Sequence, residues 1–351
     1  MKILFITDLY PVLDTETKTP KTLFSFAQEW QKLGHTVDVL KPNFLLNSFL
    51  RKKPFYKSGQ YGNVFNANCF TPFLFDVKNK IPKYEYDVIV AHMPSGIIFS
   101  NKLDGNLVCG VHNSDLEVLT NPLYKIYFKT QMERAYKRAK LIACRSRVIK
   151  EKFLKLYPEY EEKTVLCESG IDFEPILKIS NNKKSIVTCA NLIKRKNVDK
   201  LMLAVNEMPD LDLTVIGDGV ELKKLKKIAK NNIKFVGQKS NKEVLEIMKK
   251  SDIFVLPSVG ETFGMVYLEA MGCGCITVCT NSDGVDGIIK DNENGFLTEP
   301  TVSSIKSVLQ KIQNLTEEDL KNILQNCYNT AKTYNSLNCA DMYIQNLLKI
   351  I

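Results

Sequence analysis

Pro257-Ser-Val-Gly-Glu-Thr-Phe-Gly-Met-Val-Tyr-Leu-Glu-Ala-Met-Gly-Cys-Gly-Cys275 follows a short apolar run, Asp252-Ile-Phe-Val-Leu256. The run predicts a buried strand, Phe263-Gly264 a turn, and the residues after Gly264 a helix. A strand, a glycine-bearing loop and a helix N-terminus in succession make a ready anion site. The first N–H groups of the helix point outward, and glycine lets a phosphate approach the backbone. Glu261 lies in the loop, and Glu269 lies about one and a half turns into the helix at 3.6 residues per turn. Carboxylates beside an anion site do not suit the phosphate itself. They suit hydroxyls, such as those of a ribose or a sugar. The segment therefore points to a phosphate ester carrying two polyol rings, a nucleotide sugar.

Two glutamates eight residues apart occur by chance in any charged protein, so the spacing alone says little. The residues around them say more. Pro257, Ser258, Glu261, Phe263, Gly264, Glu269, Ala270 and Met271 resemble the signature of the retaining glycosyltransferases of the GT-B fold, in particular the large glycosyltransferase family 4 group. The resemblance implies an α/β protein with two Rossmann-like, doubly wound parallel-sheet domains facing a central cleft. It implies a sugar moved, with retained anomeric configuration, from a nucleotide-diphosphate donor to an acceptor hydroxyl. Within that frame Glu269 holds the ribose, and Glu261 hydrogen-bonds and orients the donor sugar. The turn Thr262-Phe263-Gly264 and the N–H groups of Gly264, Met265 and Val266 meet the leaving diphosphate.

Other segments add to this reading or depart from it. Lys194-Arg195-Lys196 follows a strand-like run, and a cationic cluster at a strand end suits a diphosphate. In the family an Arg follows the strand and a Lys comes five residues later. Lys196 falls on the Lys position, but Asn191 occupies the Arg position and brings no charge. Either Arg195 or Lys194 supplies the missing charge, or the phosphate has less electrostatic help. His112, in Gly110-Val-His-Asn-Ser-Asp115, ends another predicted strand. A lone His at such a place is often structural. The resemblance implies that it contacts the transferred sugar, with Asp115 nearby. Gly217-Asp-Gly219 looks like half of a dinucleotide fingerprint but lacks the third glycine, and a strand-to-helix turn explains it better. Pro11–Lys21 has no glycine where the family often carries a pair, and Gly287 stands where it carries a glutamate.

The rest of the chain bounds the answer. Its 351 residues exceed one ordinary core and suit two α/β domains. Strand and helix signals alternate twice, which predicts parallel sheets covered by helices. The expected domains are 1–176 and 177–337, divided near the polar stretch Ser180–Lys184. A last helix within 338–351 is expected to cross back to the first domain, as in the family. Leu123–Arg138 reads as one long basic helix, and residues 42–82 give no clear elements. Met1–Asp8 reads as a first strand and not as a signal peptide. Ten cysteines show no disulfide or metal-ligand framework, which suits a reducing cytoplasm, and small buried thiols explain Cys273, Cys275 and Cys279 better than a metal does. No Asp-x-Asp metal anchor occurs, so cationic side chains are expected to do without a divalent ion, and no cofactor beyond the donor is expected.

The formal net charge of +9 is uneven, with 25 basic against 19 acidic residues in 1–176 and 23 against 20 in the rest. Phe44-Leu-Leu-Asn-Ser-Phe-Leu50, followed by Arg51-Lys-Lys53, has the apolar-then-basic character of an interfacial segment. A lipid-linked saccharide acceptor at the cytoplasmic membrane face, in cell-surface polysaccharide or glycolipid synthesis, fits that character. A solvated basic surface explains it equally. Two other classes stay open: an epimerase or phosphorylase of the same fold, and a nucleic-acid binder. The second lacks interleaved stacking aromatics or a known motif, so nucleic acid is not the expected partner.

Overall fold

In the computed structural model, which describes residues 1–12, 21–44, 56–69, 85–178 and 182–351, two sheets are built from successive parts of the chain. The first contains β1 (Lys2–Ile6), β2 (Thr36–Phe44), β3 (Gly59–Tyr61), β4 (Val64–Cys69), β5 (Val88–Ala91), β6 (Leu107–Val111), β7 (Leu141–Cys144) and β8 (Thr164–Leu166). Their spatial order is β3-β4-β2-β1-β5-β6-β7-β8, and every pairing is parallel except β3 with β4. The second contains β9 (Ser185–Cys189), β10 (Asp212–Ile216), β11 (Ile233–Gly237), β12 (Ile253–Leu256), β13 (Ile276–Thr280) and β14 (Phe296–Thr298). It is wholly parallel in the order β11-β10-β9-β12-β13-β14.

Both orders reverse direction in the middle, between β1 and β5 in one sheet and between β9 and β12 in the other. Such switch points leave a crevice beyond the strand C-termini, because the connections on either side run outward in opposite directions. The strands that flank the second switch point are anchored by burial. Ile253, Phe254, Val255 and Leu256 are at most 1% exposed. Each contributes roughly 1.5–3 kcal/mol relative to exposure.

The chain divides into two compact units: Met1–Arg145, Ile149–Ser169 and Ser336–Ile351 form one, and Ser146–Val148 with Gly170–Asn335 form the other. The break after Ser169 precedes the polar stretch at Ser180, and the final helix, Ser336–Leu348, counts with the first unit. That helix packs on Lys21–Lys32 through aromatic residues. Trp30 is fully buried, donates from Nε1 to the Ala340 carbonyl at 3.2 Å, and meets Tyr343 edge-on at 5.2 Å.

Two expectations change. Leu123–Arg138 is not one helix. Pro122–Tyr124 is a 3-10 turn, Lys125–Lys129 a π turn, and only Thr130–Arg138 is α-helical. The Leu123 N–H is taken by Asn121 Oδ1 at 2.9 Å, and Tyr124 and Tyr127 both pack edge-on against Phe128, at 6.0 and 5.8 Å. Within 42–82, β2 continues to Phe44 and β3 and β4 form the sheet edge. Asn66, buried in β4, donates from Nδ2 to the Tyr56 and Lys57 carbonyls at 3.2 and 3.1 Å. Of the stretch Phe44–Lys53 read as interfacial, Leu45–Lys53 lies outside the described residues, as do residues 13–20 of the glycine-free segment Pro11–Lys21. Among the described residues no helix is long and apolar enough to cross a membrane.

Candidate functional site

In the second unit β9 and β12 end side by side at the switch point, and the loops that leave them are tied together. The backbone N–H of Val259 donates to the Arg195 carbonyl at 2.9 Å, and Asn197 Nδ2 donates to the Pro257 carbonyl at 2.9 Å. Asn197 takes φ +50°, the left-handed region that Asn tolerates better than most residues, and so starts the helix Val198–Asn206 directly after the cationic turn Lys194–Lys196.

Glu261 stands between the two loops. Its Oε1 accepts from Lys196 Nζ, from Ser258 Oγ and, at 3.0 Å, from Arg195 Nη1. The side chains of Glu261 and Lys196 are 13% and 11% exposed, whereas Arg195 is 47% exposed. Burial works against the charge on Glu261. The Lys196 charge, its hydrogen bond, Ser258 and Arg195 outweigh burial and hold the carboxyl below its usual value. Glu261 is therefore an ionised, acceptor-only group at neutral pH. Its own N–H donates to Asp283 Oδ1 at 2.8 Å. Gly284 next to Asp283 has no room for a side chain: a Cβ there would lie 2.6 Å from the Phe263 carbonyl oxygen and 2.7 Å from the Glu261 Cβ.

Gly264 opens the helix Met265–Gly272 at φ +88°, and no side chain caps that end. A Cβ on Gly264 would sit 2.6 Å from the Tyr267 ring, so glycine is required by conformation and by space. Lys196 and Arg195 converge on the Glu261 carboxylate, and the helix with its uncapped, positive end starts at the next turn of the chain. Phe263 is buried in the core and acts as the anchor of the turn, while Met265 and Val266 pack part of their side chains against the same core. Glu269, further along, is partly buried and accepts from Asn241 Nδ2 at 3.1 Å. Burial raises its carboxyl above the usual value, Asn241 opposes this, and Asp172 adds to it.

Asn191 is exposed at the end of β9, with its Oδ1 2.8 Å from where a Cβ of Gly219 would lie. The segment Gly217-Asp-Gly219 closes backbone against backbone. Leu192 donates to the Asp218 carbonyl at 2.8 Å, and a Cβ on Gly217 would fall 1.9 Å from the Ala190 carbonyl oxygen. Gly287, at φ +80°, lies against Arg147 Nη1, 3.2 Å from a Cβ placed there.

His112 belongs to the first unit, at the end of β6. Its N–H donates to Asp115 Oδ2 at 2.6 Å, so the buried Asp115 holds the start of the helix Asn113–Thr120. His112 Nε2 lies 2.8 Å from His92 Nδ1, and burial with the Arg145 charge lowers its pKa to about 3.

The structure thus brings Glu261, Lys196 and Arg195 together and places Glu269 on the adjoining helix. The sequence reading did not single out Ser258, Asp283, Gly284, Asn197 or Asn241. Ser258 stood in the quoted signature without a role, and Asp283-Gly284 is a common turn pair whose partner cannot be read from spacing.

Two family models divide the chain: Glycosyltransferase Family 4 over residues 21–175 and Glycosyl transferases group 1 over residues 171–334. The chain belongs to the group 1 glycosyltransferases of the GT-B fold. It is 28% identical over 308 residues to an uncharacterized glycosyltransferase of Methanocaldococcus jannaschii, covering 85% of this chain and 84% of that protein. It is 26% identical over 245 residues to the UDP-Gal:alpha-D-GlcNAc-diphosphoundecaprenol alpha-1,3-galactosyltransferase of Escherichia coli, covering 66% of this chain and 57% of that one. Among solved structures, Anabaena HepE in complex with UDP superposes with a TM-score of 0.74 at 19% identity, over 99% of this chain and 100% of that chain. The protein is therefore an enzyme, a glycosyltransferase.

Replacing Lys196 by Met tests the electrostatics of the site. At neutral pH the variant keeps an ionised, poorly solvated Glu261 with one cation fewer, and it is expected to lose about 1–3 kcal/mol of stability. A depressed carboxyl contributes stability at neutral pH that is lost as pH falls through its folded value. The gap between the two proteins in denaturant titrations should therefore close as pH drops below 4.5, the ordinary value for this group. A gap that is independent of pH would mean that Glu261 does not depend on Lys196.

Proposed function

We propose that this glycosyltransferase binds its donor, a nucleoside-diphosphate sugar, on the second unit at the β9/β12 switch point and transfers the sugar with retained configuration. The observation that carries the reading is the ionised Glu261 held by Lys196 and Arg195 beside an uncapped helix end. In this reading the diphosphate engages Lys196, Arg195 and the N–H groups of Gly264, Met265 and Val266, with Thr262 and Asn191 as neutral partners at the rim. Glu269 accepts from the ribose hydroxyls. Glu261 accepts from the hydroxyls of the donor sugar, because an ionised carboxylate cannot give up a proton to the leaving group. His112 is assigned to the transferred sugar as a neutral group.

In the transfer step the acceptor oxygen bonds to the anomeric carbon as the bond from that carbon to the phosphate oxygen breaks. The acceptor proton passes to the departing phosphate. The cations and the helix end stabilise the charge that grows on that phosphate, and the site draws on them in place of a divalent ion. UDP in the complex of Anabaena HepE supports a uridine donor, and the E. coli relative, named for a diphosphoundecaprenol-linked substrate, supports a lipid-linked saccharide acceptor in surface polysaccharide or glycolipid synthesis.

The direct assay combines a panel of nucleoside-diphosphate sugars with soluble and lipid-linked saccharides and reads the new linkage by its proton coupling constants. An α-linked product from an α-configured donor, formed at the same rate with a chelator present, is the expected result. A β-linked product would remove retention, and loss of activity with the chelator would remove the cation-only stabilisation. For the acceptor's surroundings, the expectation is salt-sensitive co-sedimentation with anionic vesicles and none with neutral ones, since each Lys or Arg near an anionic bilayer contributes about 1 kcal/mol. Equal recovery from both vesicle types would detach the enzyme from the membrane.

A further inference from the structure

The helix Leu222–Ile228 joins β10 to β11 in the second unit, and its exposed residues are all lysines: Lys223, Lys224, Lys226 and Lys227. Leu225 is buried, and Leu222 and Ile228 are half-buried. At 3.6 residues per turn the three apolar residues share the inner side, and the four lysines fill the opposite arc, about 160° wide. Lys230 and Lys234 follow and are exposed as well. Residues 221–234 hold six lysines against one acid, which is more than half of the formal net charge of +9. An ordinary surface intersperses the two signs, and this face does not.

Little of that charge is neutralised on the spot. Glu221 pairs with Lys224 at 3.4 Å, and Asp218 accepts from the Gly219 N–H at 2.7 Å. Glu207, just past the helix Val198–Asn206 that packs alongside, pairs with Lys306 at 2.6 Å. Lys230 Nζ donates to the Asn206 carbonyl at 3.0 Å. Among the described residues Lys223, Lys226 and Lys227 have no ion-pair partner. Directly before the helix, Val220 is 83% exposed, an apolar side chain at the tip of its loop. That loop is fastened to the one that leaves β9 toward Lys194–Lys196: the Leu192 N–H donates to the Asp218 carbonyl at 2.8 Å, and the Glu221 N–H to the Leu192 carbonyl at 3.0 Å. The basic face therefore starts at the same edge of the second sheet as the proposed donor site.

We infer that Lys223, Lys224, Lys226 and Lys227, with Val220 at the tip, dock the second unit on an anionic phospholipid bilayer. Lysine is a point charge on a flexible stem, which suits a diffuse negative surface, and its stem can lie along apolar material while the ammonium stays in water. A nucleic acid would call for arginine forks or stacking rings, and the exposed face of this helix holds neither. The helix is about 10 Å long, close to the Debye length of about 8 Å, so its lysines act on one patch of membrane. The inference rests on the proposed membrane association and gives it a place, away from Arg51, Lys52 and Lys53. A bilayer held there lies beside the donor edge of the second sheet, where a lipid-linked acceptor would be delivered.

Co-sedimentation of the whole enzyme with vesicles of phosphatidylcholine, pure or mixed with phosphatidylglycerol, tests this. Four proteins are compared: the unaltered enzyme, the triple variant Lys223→Gln, Lys226→Gln, Lys227→Gln, the single variant Val220→Asn, and the triple variant Arg51→Ser, Lys52→Ser, Lys53→Ser. The unaltered enzyme is expected to bind the mixed vesicles only. The lysine variant is expected to bind them about a hundredfold more weakly, about fivefold for each lysine, and to melt at an unchanged temperature because the three side chains are exposed and unpaired. Val220→Asn is expected to weaken binding severalfold without changing its salt dependence. Undiminished binding in the lysine variant, with loss in the Arg51, Lys52 and Lys53 variant, would keep the membrane association and overturn this inference. Binding of the unaltered enzyme to neither vesicle, or equally to both, would overturn the two together. Retention of a short RNA or DNA duplex by the unaltered enzyme and not by the lysine variant, with no vesicle binding by either, would assign the face to nucleic acid and overturn the bilayer.

Discussion

A carboxylate largely withdrawn from water stays ionised only if cations and hydrogen-bond donors come to it. Glu261 meets that condition by drawing Lys196 and Arg195 across the switch point of the second sheet. Taking such a pair out of water costs much of what the attraction returns, so its net contribution to stability is small. Its larger effect is on registry. The same loops are joined by Asn197 to Pro257 and by Val259 to Arg195, and Asp283 fixes the Glu261 backbone from a third loop. The loop ends of β9, β12 and β13 are thus set relative to one another before any ligand arrives. A site built this way needs little reordering on binding, and that is where electrostatic catalysis gains most.

The two units solve the same topological problem with opposite electrostatics. At the switch point of the second, burial is overcome and the acid is ionised between two cations. Next to the switch point of the first, burial prevails: the imidazoles of His92 and His112 are held neutral. The contrast matches the chemistry proposed for each. A diphosphate needs fixed positive charge. A sugar hydroxyl needs a donor or acceptor of known direction, without a charge that would bind water or phosphate instead.

Much of this was legible in the sequence because it is written in local pattern. The run Ile253–Leu256 with Gly264 and Glu269 behind it gave strand, turn and helix in the right places, and the alternation from Ser185 to Cys279 gave the parallel sheet. Met93–Ser100 was not legible, because that helix is apolar and buried on nearly all sides and shows no amphipathic period. β4 was missed because its buried Asn66 interrupts the apolar pattern, and its Nδ2 finds its acceptors in the backbone of Tyr56 and Lys57 and in the Asn68 side chain. At the site, the glutamates and Lys196 carried a signature. Asp283 and Gly284 did not, since their meaning is a close approach to the loop Glu261–Phe263 that only the fold reveals. The contact of His92 Nε2 with the Tyr343 hydroxyl, at 3.0 Å, spans most of the chain and leaves no local trace.

The account's central claim is that Glu269 serves the ribose and Glu261 the sugar, with Lys196 and Arg195 serving the phosphates between them. Calorimetric titration of UDP into the unaltered enzyme, Glu269→Gln and Glu261→Gln tests this most directly. Glu269→Gln should bind UDP at least about tenfold more weakly, since hydrogen bonds to a charged acceptor contribute about 1.5–3 kcal/mol. Glu261→Gln should bind UDP as tightly as the unaltered enzyme or more tightly, because Lys196 and Arg195 are released from the carboxylate and UDP carries no sugar to miss it. Equal weakening in both variants, or unchanged affinity in Glu269→Gln, would contradict the assignment.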